Sequence, residues 1–483
     1  MINLKMIFRI MGVLVLIEAA LLLFCAGVSL IYGEDILNDF LIVSAGSVVL
    51  GGLLMLMGKG ASRQINRRDG YLIVTLTWIL FTAIGMFPYL ISGYVPRITD
   101  AFFETMSGFT TTGATVIDNI ESMPHGLLFW RSLTQWVGGW GIIFFTIAML
   151  PIFGIGSMHI FSAVAIGSTQ EKVHPRISMT AKWIGYVYLT LTAAQIIFMA
   201  LGGVSFFDSI CHSFSTISTG GFSTKQANIA YYNSPYIEYV VSIFMILAGI
   251  NFTLFFYLIK GKVKKVLFDE ELRWFLWSLV IFTGIFTVAL TYTNQFGAGE
   301  SFRKALFQVA SLHTTTGLVS ADYMTWKPFL WALLVVIMFL GACSGSASGA
   351  IKSIRLLILS KMTKNEFKRM IHPNAVLPVK VKKIAISPSL QSSILLFILM
   401  YIVILVVSWV AMMAMGVGNI EAFGTVVSSI SSVGPGLGLC GPAHSWSCLP
   451  DGGKWLLSFL MLLGRLELLT VLLLFTPQFW KKR

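Results

Sequence analysis

Four short stretches share one chemistry: Thr110-Thr111-Thr112-Gly113-Ala114, Ser218-Thr219-Gly220-Gly221-Phe222, Thr314-Thr315-Thr316-Gly317-Leu318 and Ser431-Ser432-Val433-Gly434-Pro435. Their glycines, taken as Gly113, Gly220, Gly317 and Gly434, recur at steps of roughly a hundred residues, which points to an internal fourfold repeat. Each follows a similar lead-in: Asp100-Ala-Phe-Phe, Phe207-Asp208-Ser-Ile, Ala305-Leu-Phe-Gln or Glu421-Ala-Phe-Gly opens an apolar, serine-containing run. Such a run is about ten residues long, half of what a helix needs to cross a bilayer, so it reads as a re-entrant half-helix.

Composition agrees with a membrane setting. Apolar residues make up 56% of the chain and charged residues 11%, and the mean hydropathy is +0.82, which places it among polytopic membrane proteins. Crossing-length stretches lie at 7–32, 36–58, 71–93, 126–152, 181–203, 235–260, 273–294, 326–360 (interrupted), 388–415 and 455–477. The first runs directly into a second span, unlike a cleaved signal peptide, and is kept in the mature protein.

Most of the 34 lysines and arginines fall on alternate sides of these spans. Lys5 and Arg9, Lys59 to Arg68, Lys172 to Lys182, Lys260 to Arg273, Lys352 to Lys383 and Lys481 to Arg483 share one side; Arg97, Arg131, Lys225, Arg303, Lys304, Lys327 and Lys454 occupy the other. The richer side is expected to be cytoplasmic, with both termini there and the four glycine loops opening outward. The net charge of +13 follows from this topology. Nucleic-acid binding is not expected, because the basic runs alternate with spans and form no single patch.

Folding the repeat onto the spans gives an all-α polytopic architecture. Residues 1–70 form two extra N-terminal helices, and the pore repeats are 71–152, 181–260, 273–360 (with a broken second helix) and 388–480. Each repeat is a helix, a half-helix, a filter segment and a helix. Residues 153–180 and 361–387 are cytoplasmic loops. Irregular backbone at membrane depth is tolerated only where it lines a cavity or is buried in protein, so four such segments should meet around one central pore.

The four elements, the Gly345-Ser-Ala-Ser-Gly349 break in the eighth span, and Gly464-Arg465-Leu466-Glu467 in the last span resemble the Trk/Ktr/HKT superfamily of potassium transport proteins. The two additional N-terminal spans make the chain most similar to the TrkH branch. The resemblance implies a single-chain counterpart of a tetrameric potassium channel in the bacterial cytoplasmic membrane, working as a homodimer with a cytosolic nucleotide-binding subunit of the TrkA type.

The residues support that reading on their own chemistry. A potassium ion gives up its water only where carbonyl oxygens replace it on several sides, and glycine permits the backbone angles that aim carbonyls inward. Thr111, Thr112 and Gly113, Ser218, Thr219 and Gly220, Thr315, Thr316 and Gly317, and Ser432, Val433 and Gly434 are the expected filter. Small residues merely packing helices together would explain one such copy; four at one period argue for the filter. The fourth copy departs from the others, since Val433 has no hydroxyl and Pro435 follows the glycine.

Gly341 to Ala350, with Gly345, Ser346 and Gly349 at its centre, interrupts the eighth span and is expected to gate the pathway below the filter. A small-residue helix contact is the alternative. Arg465, deep in the last span, needs a wet cavity or a partner; it is expected to face the pore as a positive barrier, with a salt bridge to another repeat as the alternative. Cys440 and Cys448 share an outer loop and could close a local disulfide if that compartment is oxidising.

No catalytic constellation is present, so no enzyme is expected. Gly436-Leu-Gly438-Leu-Cys-Gly441 lacks a βαβ context, His212 and His313 show no metal-ligand spacing, and no phosphate-binding Gly-Lys-Ser/Thr loop occurs. No organic cofactor is expected; potassium is the transported ion. Segments 153–182, 260–273 and 361–387 are where a regulatory partner could dock, although their charges also suit anionic lipid headgroups. Coupled symport with protons or sodium is the alternative function, with Glu18 and Glu467 the available intramembrane acids; the conducting subunit of a pump is a further one.

Overall fold

The computed structural model describes residues 2–61, 66–149, 177–293, 296–382 and 384–481. Most of the expected loop 153–180 therefore lies outside the described residues.

Helices α1 (Leu4–Tyr32) and α2 (Leu37–Met57) form an N-terminal hairpin. Gly33, at φ 65°, ends α1 in the left-handed conformation that glycine adopts without strain. The pair is packed backbone to backbone. A Cβ at Gly12 would stand 2.8 Å from the Gly51 carbonyl, the close approach that small residues permit between membrane helices.

The remainder is built from four units. The first comprises α3 (Arg67–Gly85), the half-helix α4 (Ile98–Phe109) and α5 (His125–Met149). The second comprises α6 (Ile177–Leu201), half-helix α7 (Phe206–Ile217), α8 (Pro235–Gly249) and α9 (Phe252–Ile259). The third comprises α10 (Glu270–Tyr292), half-helix α11 (Ala298–His313), α12 (Pro328–Phe339) and α13 (Ser353–Ile371). The fourth comprises α14 (Pro388–Ala414), half-helix α15 (Asn419–Ser431), α16 (Asp451–Arg465) and α17 (Leu468–Leu472).

The units close on one another. The helix after each half-helix packs on the half-helix of the next unit: α5 on α7, α8 on α11, α12 on α15 and α16 on α4. A cyclic arrangement therefore arises from a linear chain.

Two spans expected to be continuous are broken. The sixth, expected over 235–260, bends by 95° between α8 and α9. Asn251 starts the second piece by accepting the Thr253 N–H at 2.9 Å, so the break is an N-cap in mid-span. The tenth, expected over 455–477, bends by 113° beyond Arg465, where Glu467 has φ 63°. The eighth span is interrupted between Phe339, where α12 ends, and Ser353, where α13 begins. Before α14, residues 380–385 form a small hairpin, β1 (Lys380–Val381) antiparallel to β2 (Ile384–Ala385).

Candidate ion pathway

Each half-helix ends in the same turn. The residue in the left-handed region is Thr111 (φ 52°), Thr219 (φ 54°), Thr315 (φ 57°) and Ser432 (φ 55°). The next residue donates its N–H five positions back: Thr112 to Ser107 at 2.9 Å, Gly220 to Ser215 at 2.7 Å, Thr316 to Ser311 at 2.8 Å and Val433 to Ser428 at 2.9 Å. This is a Schellman closure with a threonine or serine where glycine is usual. For β-branched threonine the conformation costs about 1–3 kcal/mol, so the surrounding structure imposes it in three units.

The glycine that follows is Gly113 (φ 86°), Gly221 (φ 84°), Gly317 (φ 76°) and Gly434 (φ 107°). These four line one cavity. They also interlock. A Cβ at Gly113 would strike the Gly220 carbonyl, one at Gly221 the Thr316 carbonyl, and one at Gly317 the Val433 carbonyl. One at Gly434 would lie 2.7 Å from the Thr112 carbonyl. Each glycine thus abuts the carbonyl before the next unit's glycine, and the fourth returns to the first. The half-helices all end at this ring, so the partly negative end of each dipole faces it.

This register corrects the sequence reading of the second unit. Gly220, aligned above with Gly113, instead matches Thr112; Gly221 is the structural glycine, Thr219 matches Thr111, and Ser218 matches Thr110 at the helix end. Two adjacent glycines cannot be ranked from sequence. Backbone conformation ranks them, because only one sits where a side chain would meet the backbone of the next unit's turn. Val433, despite lacking a hydroxyl, occupies the same place as Thr112 and Thr316, because the ring is made by backbone.

The interruption of the eighth span lies directly against the ring. Gly349 N–H donates to Thr315 Oγ1 at 2.6 Å, and Ala350 N–H to the Ser431 carbonyl at 2.9 Å. Phe252 N–H donates to the Gly345 carbonyl at 3.1 Å, and a Cβ on Gly345 (φ 79°) would lie 2.9 Å from Asn251 Oδ1. Ser346 Oγ donates to the Cys343 carbonyl at 2.6 Å. Arg465, only 4% exposed, donates from Nη1 to the Ala347 carbonyl at 2.6 Å and from Nη2 to the Gly138 carbonyl at 3.2 Å. Its described partners are thus carbonyls, one of them in the loop itself.

The remaining candidates stand apart. His212 Nε2 is 3.1 Å from Tyr232 Oη and His313 Nε2 is 2.6 Å from Ser278 Oγ. Glu467 pairs with Arg355 at 2.6 Å. Glu18 is buried in α1, and neither Glu18 nor Glu467 lines the ring cavity. Cys440 and Cys448 are free thiols with their side chains in contact; burial, and then Cys448, hold the Cys440 thiol above its ordinary range.

The model for the TrkH family, described as a cation transport protein, matches residues 36–482. The chain belongs to the TrkH family. It is 37% identical over 482 residues, 99% of each chain, to the Trk system potassium uptake protein TrkH of Escherichia coli strain K12. To the protein of that name from Halomonas elongata it is 37% identical over 486 residues, 99% of this chain and 100% of the other. The crystal structure of the potassium transporter TrkH from Vibrio parahaemolyticus matches with a TM-score of 0.91 and 36% identity, covering 99% of both chains.

In this TrkH-family chain, several residues that sequence reading passed over brace the ring. Arg131, counted above among the basic residues of the poorer side, is 1% exposed and lies 2.8 Å from Glu104, which is fully buried. Its Nη1 donates to the Ser223 carbonyl at 3.0 Å, and its Cζ lies 4.2 Å from the centre of the Phe222 ring. Glu104 also accepts the Val116 N–H and the Thr115 hydroxyl, each at 3.0 Å. Gln135 donates to the Gly220 carbonyl at 2.7 Å and accepts the Phe222 N–H at 3.1 Å. Tyr401 Oη is 2.7 Å from Ser431 Oγ. An acid within a half-helix was the available signal for Glu104, since charge at that depth needs a partner.

Proposed function

We propose that this protein takes up potassium across the cytoplasmic membrane through the ring of four filter segments. The observation that carries the reading is the closed interlock of Gly113, Gly221, Gly317 and Gly434 with the carbonyls of Gly220, Thr316, Val433 and Thr112. Backbone oxygens gathered from four directions can replace a potassium ion's water shell. The names of the relatives, potassium uptake proteins of Trk systems, agree with it.

The four repeats form the pore domain, and the N-terminal pair stands outside it. Residues 341–350 act as the gate, with Arg465 a positive barrier beneath the ring. Both termini are cytoplasmic, on the side carrying most of the lysines and arginines. The working assembly is a homodimer with a cytosolic TrkA-type nucleotide-binding subunit, which acts on the cytoplasmic segments. The test is radioactive rubidium uptake into vesicles containing this protein alone, with and without a proton gradient. Uptake driven by the rubidium gradient alone is expected; uptake only with a proton gradient would instead establish symport.

Arg465→Ala is expected to raise rubidium flux several-fold, because it removes the buried charge and the hydrogen bond to Ala347. Flux and ion preference identical to wild type would remove the barrier role. Oxidation of intact vesicles with diamide is expected to join Cys440 to exposed Cys448, seen as a linked peptide in a non-reducing digest. Only unlinked peptides would count against that bond.

A further inference from the structure

The loop 341–350 is held by Thr315, Ser431, Phe252 and Arg465. Glu271 holds it from the start of α10. It is 1% exposed, accepts the Ser344 N–H at 2.5 Å and the Ser344 hydroxyl at 3.3 Å, and is the third of three consecutive acids at the start of α10.

The other two acids reach the β1–β2 hairpin. Asp269 caps α10, its Oδ1 accepting the N–H groups of Glu271 at 3.1 Å and Leu272 at 3.0 Å. Its Oδ2 lies 2.6 Å from Lys382 Nζ, a pair only 6% and 12% exposed. Glu270 accepts the Lys382 N–H at 2.9 Å and pairs with Lys361 of α13. Lys361 in turn donates to the Lys380 carbonyl at 2.8 Å. Val381 of the hairpin is fully buried, in one apolar cluster with Val379, Ile386, Leu390 and Ile354, Leu357 and Ile358 of α13, and a hollow lined by Met362, Asn365 and Ile384 lies beside it.

We propose that Asp269-Glu270-Glu271 couples the hairpin to the intramembrane loop: Glu271 is a positioning residue that holds the loop shut, and hairpin displacement releases it. The inference rests on the gate reading of residues 341–350. The physical reason is the short lever. A helix start is stiff, and a charge-assisted bond such as that from Ser344 to Glu271 is lost when its partners separate by about an ångström. A largely buried ion pair such as Asp269–Lys382 transmits displacement where an exposed pair would slacken.

The test uses the full chain alone in vesicles, with rubidium flux and mass-spectrometric labelling of Cys343 by a maleimide as readouts. Cys343 adjoins Ser344 and is fully buried, so its labelling reports loop release. Lys382→Glu is expected to raise flux and Cys343 labelling roughly tenfold, the size expected for losing one anchor to a charged group. Lys382→Arg is expected to stay at the wild-type level. Glu271→Ala should match a variant lacking residues 344–348 in flux and add nothing when combined with it. If the shortened variant conducts more but Lys382→Glu changes neither readout, the coupling is wrong and the gate stands. If Lys382→Arg behaves like Lys382→Glu, loss of the pair's charge is not the cause and the coupling is again overturned. If the shortened variant conducts no more than wild type, the gate reading itself fails.

Discussion

Gly221→Ala is expected to abolish rubidium uptake, by a factor of roughly a hundred or more, while Gly220→Ala retains a measurable fraction. Both replace hydrogen by methyl in adjacent residues. At Gly221 (φ 84°) the new Cβ meets the Thr316 carbonyl, which cannot withdraw without moving the third unit's turn. The left-handed backbone adds strain of about 1–3 kcal/mol. At Gly220 the Cβ meets the end of the Gln135 side chain, with Cδ nearest and Oε1 at 2.5 Å; a side chain rather than backbone must move, at the cost of its bonds to Gly220 and Phe222, so uptake falls without being abolished. Uptake per reconstituted protein decides between them. Full activity in Gly221→Ala with loss in Gly220→Ala would restore the register read from sequence and break the fourfold ring.

Glu104→Ala should be among the most destabilising single changes in the chain. It leaves Arg131, 1% exposed, without its carboxylate, and an uncompensated buried charge costs about 3–5 kcal/mol. The Glu104→Gln, Arg131→Met pair is expected to recover much of that stability, because two neutral side chains need no mutual compensation. Flux should not recover with it, since Arg131 also holds the Ser223 carbonyl and covers Phe222 next to Gly221. Thermal unfolding in detergent measures the first effect and rubidium uptake the second. A double variant that regains both would reduce the pair to a structural role.

Much of the architecture was legible because membranes leave few choices. Spans follow from hydropathy, re-entrant pieces from runs too short to cross, and repeats from hydroxyl and glycine residues recurring at one period. The break after Leu340 was readable because three glycines fall within nine residues of Gly341–Gly349. The breaks at Asn251 and Glu467 carried weaker signals. Asn251 is a single capping residue in an apolar run, and the bend after Arg465 accompanies close packing rather than any local preference. A Cβ at Gly464 would strike the Ile430 carbonyl, so that helix is positioned by its contact with the fourth half-helix.

The fold class and the fourfold repeat were readable in one dimension, since local composition and period carry that information. Three-dimensional packing set the rest: Gly221 rather than Gly220 closes the second segment, Arg131 turns inward to Glu104, and Glu271 reaches Ser344. Each of these depends on which distant atom lies within about 3 Å, and a one-dimensional pattern does not encode that distance.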